Sequence, residues 1–293
     1  MKQDIFLLAG LFFIVLSCIV TVSSAQDVAW EIANKYPGYT LVWSEEFNAE
    51  GKVNEAFWSF EQGFVRNHEK QYYQKANASV KHGRLVIEGR REEMPNERYE
   101  EGSGDWRRSQ KVAEYTSASI NTRGKKAFQY GIIEVKAKID TAKGMWPAIW
   151  TLGTDQPWPS CGEVDIMEFY RVDDQPTILA NAAWKREGGQ WEAQWDEQKV
   201  PFSDFTAQQA SWPDQFHVWK MEWTDEHIKL YLDEQLLNEI DLAKTTNPDG
   251  FNPFHQPHYI LLNLAIGANG GDPSGTAFPR SYEVDYVRVY QEK

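Results

Sequence analysis

Cysteine is nearly absent from this 293-residue chain, which carries only Cys18 and Cys161. Cys18 falls inside an N-terminal stretch that reads as a leader. Only Cys161 is then left to the mature chain, and an internal disulfide is excluded. Stability must come from packing. Basic charge is also short: 30 Lys and Arg face 43 Asp and Glu, for a net charge of −13. That balance argues against a nucleic-acid partner, which needs a basic surface, and disfavours a polyanionic substrate such as a heavily sulfated glycan. Tandem repeats and low-complexity linkers are missing too, so residues 26–293 are expected to form one large domain. What the chain has in excess is aromatic surface, with 13 Trp, 13 Tyr and 15 Phe. These rings suit sugar stacking, and they equally suit the core of a large β-sandwich.

Residues 1–25 combine a basic start, an apolar run from Ile5 to Val22 and a small-residue ending, Ser23-Ser24-Ala25. This pattern predicts a secretory signal peptide cleaved after Ala25, and hence a secreted or periplasmic protein. Val15-Leu16-Ser17-Cys18 also sketches a lipoprotein signal, so a surface lipoprotein anchored at Cys18 is the alternative localisation.

Downstream, short strands separated by turn signals dominate. Tyr39–Phe47 reads as the first of them, His82-Gly83 as a hairpin turn, and 92–111 as an exposed loop that overhangs a cleft. Gly144–Gly153 is apolar throughout, as in a strand covered on both faces, although Pro147 excludes an uninterrupted ladder. His258–Ile266 is a second buried strand, whose internal Asn263 needs a hydrogen-bond partner. Many short strands and little helix predict an all-β fold, an antiparallel two-sheet β-sandwich.

The segment Trp158–Tyr170, WPSCGEVDIMEFY, sets Glu163, Asp165 and Glu168 in an otherwise apolar run. In a regular strand Glu163 and Asp165 share one face, while Glu168 joins Val164 and Ile166 on the other. A lone carboxylate in that hydrophobic layer is costly. One β-bulge around Ile166 and Met167 shifts the alternation and returns Glu168 to the other two acids. Three readings of such a trio are open on local chemistry. It is a pair of catalytic carboxyls roughly 5 to 5.5 Å apart with a helper, as a retaining glycosidase needs, a calcium site, or a solvated acidic edge.

The sequence Gly162-Glu163-Val164-Asp165-Ile166-Met167-Glu168 resembles the bulged signature of glycoside hydrolase family 16. Met145-Trp146-Pro147-Ala148-Ile149-Trp150 before it and Val284-Asp285-Tyr286-Val287-Arg288-Val289-Tyr290 near the end strengthen that resemblance, which spans nearly all of 26–293. The resemblance implies a concanavalin-like β-jelly roll. It also implies Glu163 as nucleophile, Glu168 as acid/base and Asp165 as the assisting acid. Asn67, Glu69, Gln71, Trp146, Trp150, Asn181 and Trp184 are then expected to bind substrate, with no cofactor required. Some relatives hold a structural calcium at positions matching Glu46, the Gly83 carbonyl and Asp285, so Ca2+ is expected here as a structural option. The histidine that many β-1,3-glucan-cleaving relatives carry near Thr177–Trp184 is replaced by Ala182, Ala183 and Trp184. By this resemblance the substrate is a neutral β-glucan polysaccharide, laminarin-type or mixed-linkage, cleaved internally by a monomer with no stable protein partner. A β-galactanase of the same family and a non-catalytic glucan-binding sandwich are the alternatives.

Overall fold

The computed structural model describes residues 25–293. The expected leader and Cys18 lie outside the described residues, apart from Ala25. A helix, Ala25–Ala33, precedes the first strand, Tyr39–Glu45, and two sheets follow. The ten-stranded sheet runs in the order 235–241, 227–232, 217–223, 131–138, 280–292, 85–95, 112–117 and 71–73. Strands 39–45 and 78–80 attach beside 280–292 and 85–95. The seven-stranded sheet runs 193–201, 175–185, 163–172, 145–153, 258–266, 119–121 and 59–60. All of its pairings are antiparallel. In the larger sheet, 71–73 against 112–117 is a parallel exception. The result is a two-sheet sandwich of the jelly-roll type, as the strand pattern predicts.

Alternation decides which residues fill the layer between the sheets. Ile149, Val164, Ile166, Phe169, Ile178, Ala182, Ile260 and Leu262 from the smaller sheet meet Ile87, Val135, Trp219, Met221, Tyr282 and Val287 from the larger in one buried cluster. Their intervening neighbours Ala148, Trp150, Tyr259 and Leu261 form a second apolar layer on the opposite face of the seven-stranded sheet. Strands 145–153 and 258–266 are thus apolar on both faces, which explains their unbroken hydrophobic sequences. Pro147 pairs with Leu264 on one side, and the ladder to the acid-bearing strand ends at Ala148 on the other. The missing N–H therefore falls just beyond that ladder.

The turn at His82-Gly83 closes as expected, both residues having positive φ, +55° and +71°. The long loop differs from expectation. Strand Leu85–Pro95 consumes its first residues, and a short helix, Trp106–Ser109, ends it. The rest is tied down by Asn96 donating to the Arg107 and Gln110 carbonyls, and by Arg107 Nε donating to the Val65 carbonyl.

Two of the three residues expected to hold calcium, Glu46 and Asp285, are engaged by cations of the chain itself. Both Glu46 oxygens accept from Arg288, at 2.9 and 2.8 Å, and Asp285 pairs with Lys136 at 2.8 Å. Calcium needs six or more oxygen ligands, several of them charged, and here it would have to displace an arginine and a lysine. The arrangement does not fit the ion. Stripping divalent cations with EDTA is expected to leave the melting temperature unchanged to within about 1 °C, because ligand-linked stability requires a ligand bound to the native state. A drop of several degrees, restored by calcium, would reinstate the site.

Candidate active site

The strand Glu163–Val172 carries the expected bulge. Asp165 pairs with Trp150 on one side and Asn181 on the other, but the next pairs are Met167 with Ile149 and Glu168 with Leu179. One residue has been inserted on the acid strand relative to both neighbours. Ile166 and Met167 accordingly both enter the core, with Val164 and Phe169 around them, and Glu168 returns to the face of Glu163 and Asp165. The start of this strand is fixed by close packing. Gly153 donates to the Gly162 carbonyl at 3.3 Å, Gln256 Nε2 donates to the Cys161 carbonyl at 2.9 Å, and a Cβ on Gly153 would sit 2.1 Å from that same oxygen. Cys161 itself is a buried thiol pushed up to about 12 by burial and the Glu163 charge, so it stays protonated.

The three acids perturb one another strongly. Asp165 is 2% exposed, and its Oδ2 has no hydrogen-bond donor. A buried carboxylate oxygen without a donor is satisfied when the group itself carries a proton that it gives to a neighbour. Burial first, then the charges of Glu168 and Glu163, raise the Asp165 pKa well above the usual carboxylate range. Glu163 is pushed up to about 7, chiefly by burial, against the opposing effects of Asp165, the Trp158 indole and the Arg66 charge. Glu168 is pushed up to about 8 by burial, then by the Glu163 charge, with Glu69 adding to it. Both glutamates are thus held above the usual carboxylate range, and the Glu163 charge is one of the causes at Glu168.

Of the expected substrate residues, several meet on this face. Trp146 Nε1 donates to Glu168 Oε1 at 2.9 Å, and its ring packs edge-on to Tyr170. Trp150 Nε1 donates to Asn263 Oδ1 at 2.7 Å, which supplies the partner that Asn263 needed, and Asn263 in turn donates to the Tyr73 hydroxyl. Asn67 is exposed at a left-handed φ of +56° and donates to Glu69 at 3.3 Å. Glu69 also accepts from Gln71 at 2.6 Å and from Tyr73 at 3.3 Å.

Three expectations are corrected. Gln71 is buried, with its Oε1 taken by the Ile266 N–H at 2.7 Å, so it wires the loop to the sheet rather than reaching sugar. Asn181 is also buried; it faces Asp165 across the ladder, lowers that acid's pKa, and accepts from the Gln198 N–H. Trp184 belongs to the core and packs against Phe254, because Asn181 and Trp184 are three apart in an unbulged strand and must face opposite ways. Site neighbours left out of the expected set include Trp158 and Arg66, whose guanidinium lies 5.0 Å over the Trp150 ring. Trp195 pairs with Ala183, which pairs with Glu163, and it is 36% exposed.

The profile of Glycosyl hydrolases family 16 matches residues 65–288. The chain belongs to that family. A beta-glucanase of Rhodothermus marinus is 33% identical over 99% of this chain and 95% of its own length. Two solved structures are similar as well. One, from work on endo-acting O-glycanases with which members of the human gut microbiota initiate mucin breakdown, has a TM-score of 0.79 and 34% identity over 88% of this chain and 92% of that one. The other is SCLam, a non-specific endo-beta-1,3(4)-glucanase with 1,3-beta-D-cellobiosyl-glucose at its active site, with a TM-score of 0.71 and 33% identity over 88% and 96%.

The raised acids of this family 16 site have a thermodynamic consequence. A carboxyl whose folded pKa lies above its unfolded value binds protons more tightly in the native state. Its contribution to stability is present at low pH and is lost as pH rises from about 4.5 through the folded value of about 8 for Glu168. Glu168→Gln is therefore expected to melt several degrees above the parent at pH 9 and close to it at pH 5. Thermal unfolding at both pH values checks this, and a pH-independent difference would contradict it.

Proposed function

We propose that the protein is a secreted retaining endo-β-glucanase that cleaves internal β-1,3 or β-1,4 linkages of laminarin-type or mixed-linkage glucan as a monomer. The observation that carries this reading is the bulged strand that sets Glu163, Asp165 and Glu168 on one face, with indole rings beside them. The similarity to a beta-glucanase over nearly the full chain, and to a glucanase holding a glucan fragment, supports the substrate.

In this reading Glu163 attacks the anomeric carbon while Glu168 gives its proton to the departing oxygen. The charge of an ionised Glu163 raises the pKa of Glu168 and so keeps the proton on it, which is the division the first step needs. Once the glycosyl-enzyme has formed, Glu168 has lost its proton and can take one from the incoming water. Asp165 hands a proton between its neighbours, so the three titrate as one set. Trp146 holds Glu168 through its indole N–H, which favours the charged form that exists after proton transfer. Asn67 and the exposed Trp195 and Trp191 offer an amide and two stacking faces to neighbouring sugars.

A second reading has its own observation. The structure from the O-glycanase work superimposes with the higher TM-score, 0.79 against 0.71, at similar identity and coverage. An endo-acting hydrolase of host O-glycans is therefore the alternative. Reducing-sugar release from laminarin, barley β-glucan, agarose and mucin O-glycans separates them: early mid-length oligomers from the first two support the glucanase, and release from mucin glycans alone favours the alternative. In either case Glu163→Gln and Glu168→Gln are each expected to lower kcat on natural substrate by at least about 1000-fold. Full activity in either variant would sink the mechanism.

A further inference from the structure

The strongest unassigned arrangement beside the acids is a half-buried ion pair laid across the cleft floor. Ser119 Oγ donates to Glu61 Oε2 at 2.6 Å, and Glu61 in turn pairs with Arg66. Ser119 belongs to strand 119–121. In the sheet order this strand is separated from the acid strand by strands 258–266 and 145–153. The Arg66 guanidinium instead lies over Trp150, 5.0 Å from its ring centre, on the strand that adjoins the acids. The pair therefore runs with its carboxylate toward strand 119–121 and its guanidinium over strand 145–153, the strand one spacing of about 4.8 Å from the acid strand. An ion pair oriented in this way presents a positive field to the acids, whereas the reverse orientation would present a negative one.

The surroundings of Glu163 leave that field little competition. Its own strand supplies Asp165 and Glu168, both acidic, and the preceding loop supplies the Trp158 indole and the neutral Cys161 thiol. Leu152 and Ala183, its cross-strand neighbours, carry no charge. Arg66 is the cation that opposes burial at Glu163. A further detail shows that the guanidinium is held by more than hydrogen bonding. Its Nη1 is buried with no hydrogen-bond partner, while the group as a whole rests on Trp150 and, at 6.0 Å, against Tyr73. Packing against two rings, rather than a full set of acceptors, fixes its position.

We infer that Arg66, oriented by Glu61, is a positioning residue that holds the nucleophile Glu163 ionised through the field of a directed ion pair, without touching the reacting atoms. The inference rests on the proposed role of Glu163 and adds the group that sets its working pH.

The test is the pH dependence of kcat/KM on a soluble glucan for Arg66→Met, which keeps the chain length and removes the charge, and Arg66→Lys, which keeps the charge. Removing the cation raises the pH at which Glu163 ionises. The acidic limb of Arg66→Met is expected to move up by roughly one pH unit, with about a tenfold loss below the limb and little change above it. Arg66→Lys should retain most of the parent profile. A uniform loss at every pH with an unmoved limb, or a lysine variant that behaves like the methionine one, would overturn the inference and leave Arg66 as packing. If Arg66→Met does not fold, Glu61→Gln replaces it: loss of the anionic end should move the same limb down, and an unmoved limb is again fatal. Inactivity of the parent on glucan, or full activity in Glu163→Gln, would instead defeat the proposed function and is read separately from the limb.

Discussion

One inserted residue governs this molecule. The seven-stranded sheet must bury Val164, Ile166, Met167 and Phe169 against the larger sheet while keeping Glu163, Asp165 and Glu168 together on its other face. Strict alternation cannot satisfy both demands, because Asp165 and Glu168 are three apart. The bulge between them satisfies both at the expense of local ladder hydrogen bonds, and it lets two consecutive side chains, Ile166 and Met167, enter the core. The neighbouring strands make the bulge tolerable. Both are fully packed on their inner faces, and the ladders resume in register on either side of the irregularity.

The same geometry creates the electrostatic problem that the site exploits. Three carboxyls on one buried face cannot all ionise, so protons are retained well above the usual carboxylate range. What differentiates the two glutamates is their flank. Glu163 looks toward Arg66 and Trp158, whereas Glu168 looks toward Trp146 and the buried Glu69. A chain with a net charge of −13 keeps a half-buried arginine, Arg66, on the Glu163 side of this floor. The acids therefore lower stability where they serve chemistry, and the hydrophobic layers of the sandwich must offset them, since Cys161, the one cysteine among the described residues, is a free thiol.

The fold and the acid row were legible because both are written in local periodicity. Strand alternation, the His82-Gly83 turn and the parity conflict at Glu168 are all short-range signals. Trp184 failed for an equally local reason: it lies three residues from Asn181, and no bulge reconciles them. Gln71 failed differently. Its partner is the Ile266 N–H, 195 residues away, and nothing in the sequence near Gln71 announces that contact. Arg66 shows the same limit, since beside Asn67 it reads as an ordinary loop cation, and only the sheet order places Trp150 beneath it.

Specificity must then be decided away from the acids. The acid row fixes where a glycosidic bond is attacked, but it reads little of the sugar beyond that bond. Exposed indoles such as Trp191, at 63% exposed, and Trp195, at 36%, offer stacking faces that any pyranose with an apolar side can use. Hydroxyl stereochemistry has to be read by directional groups, and the structure restricts which remain for that task. Gln71, Asn181 and Asn263 are committed to the protein's own wiring. Asn67 is different, because it is exposed and held in a left-handed turn with only its amide N–H engaged by Glu69. Within the proposed function, the loop that carries Asn67 is therefore where a directional contact to a sugar hydroxyl can still be made.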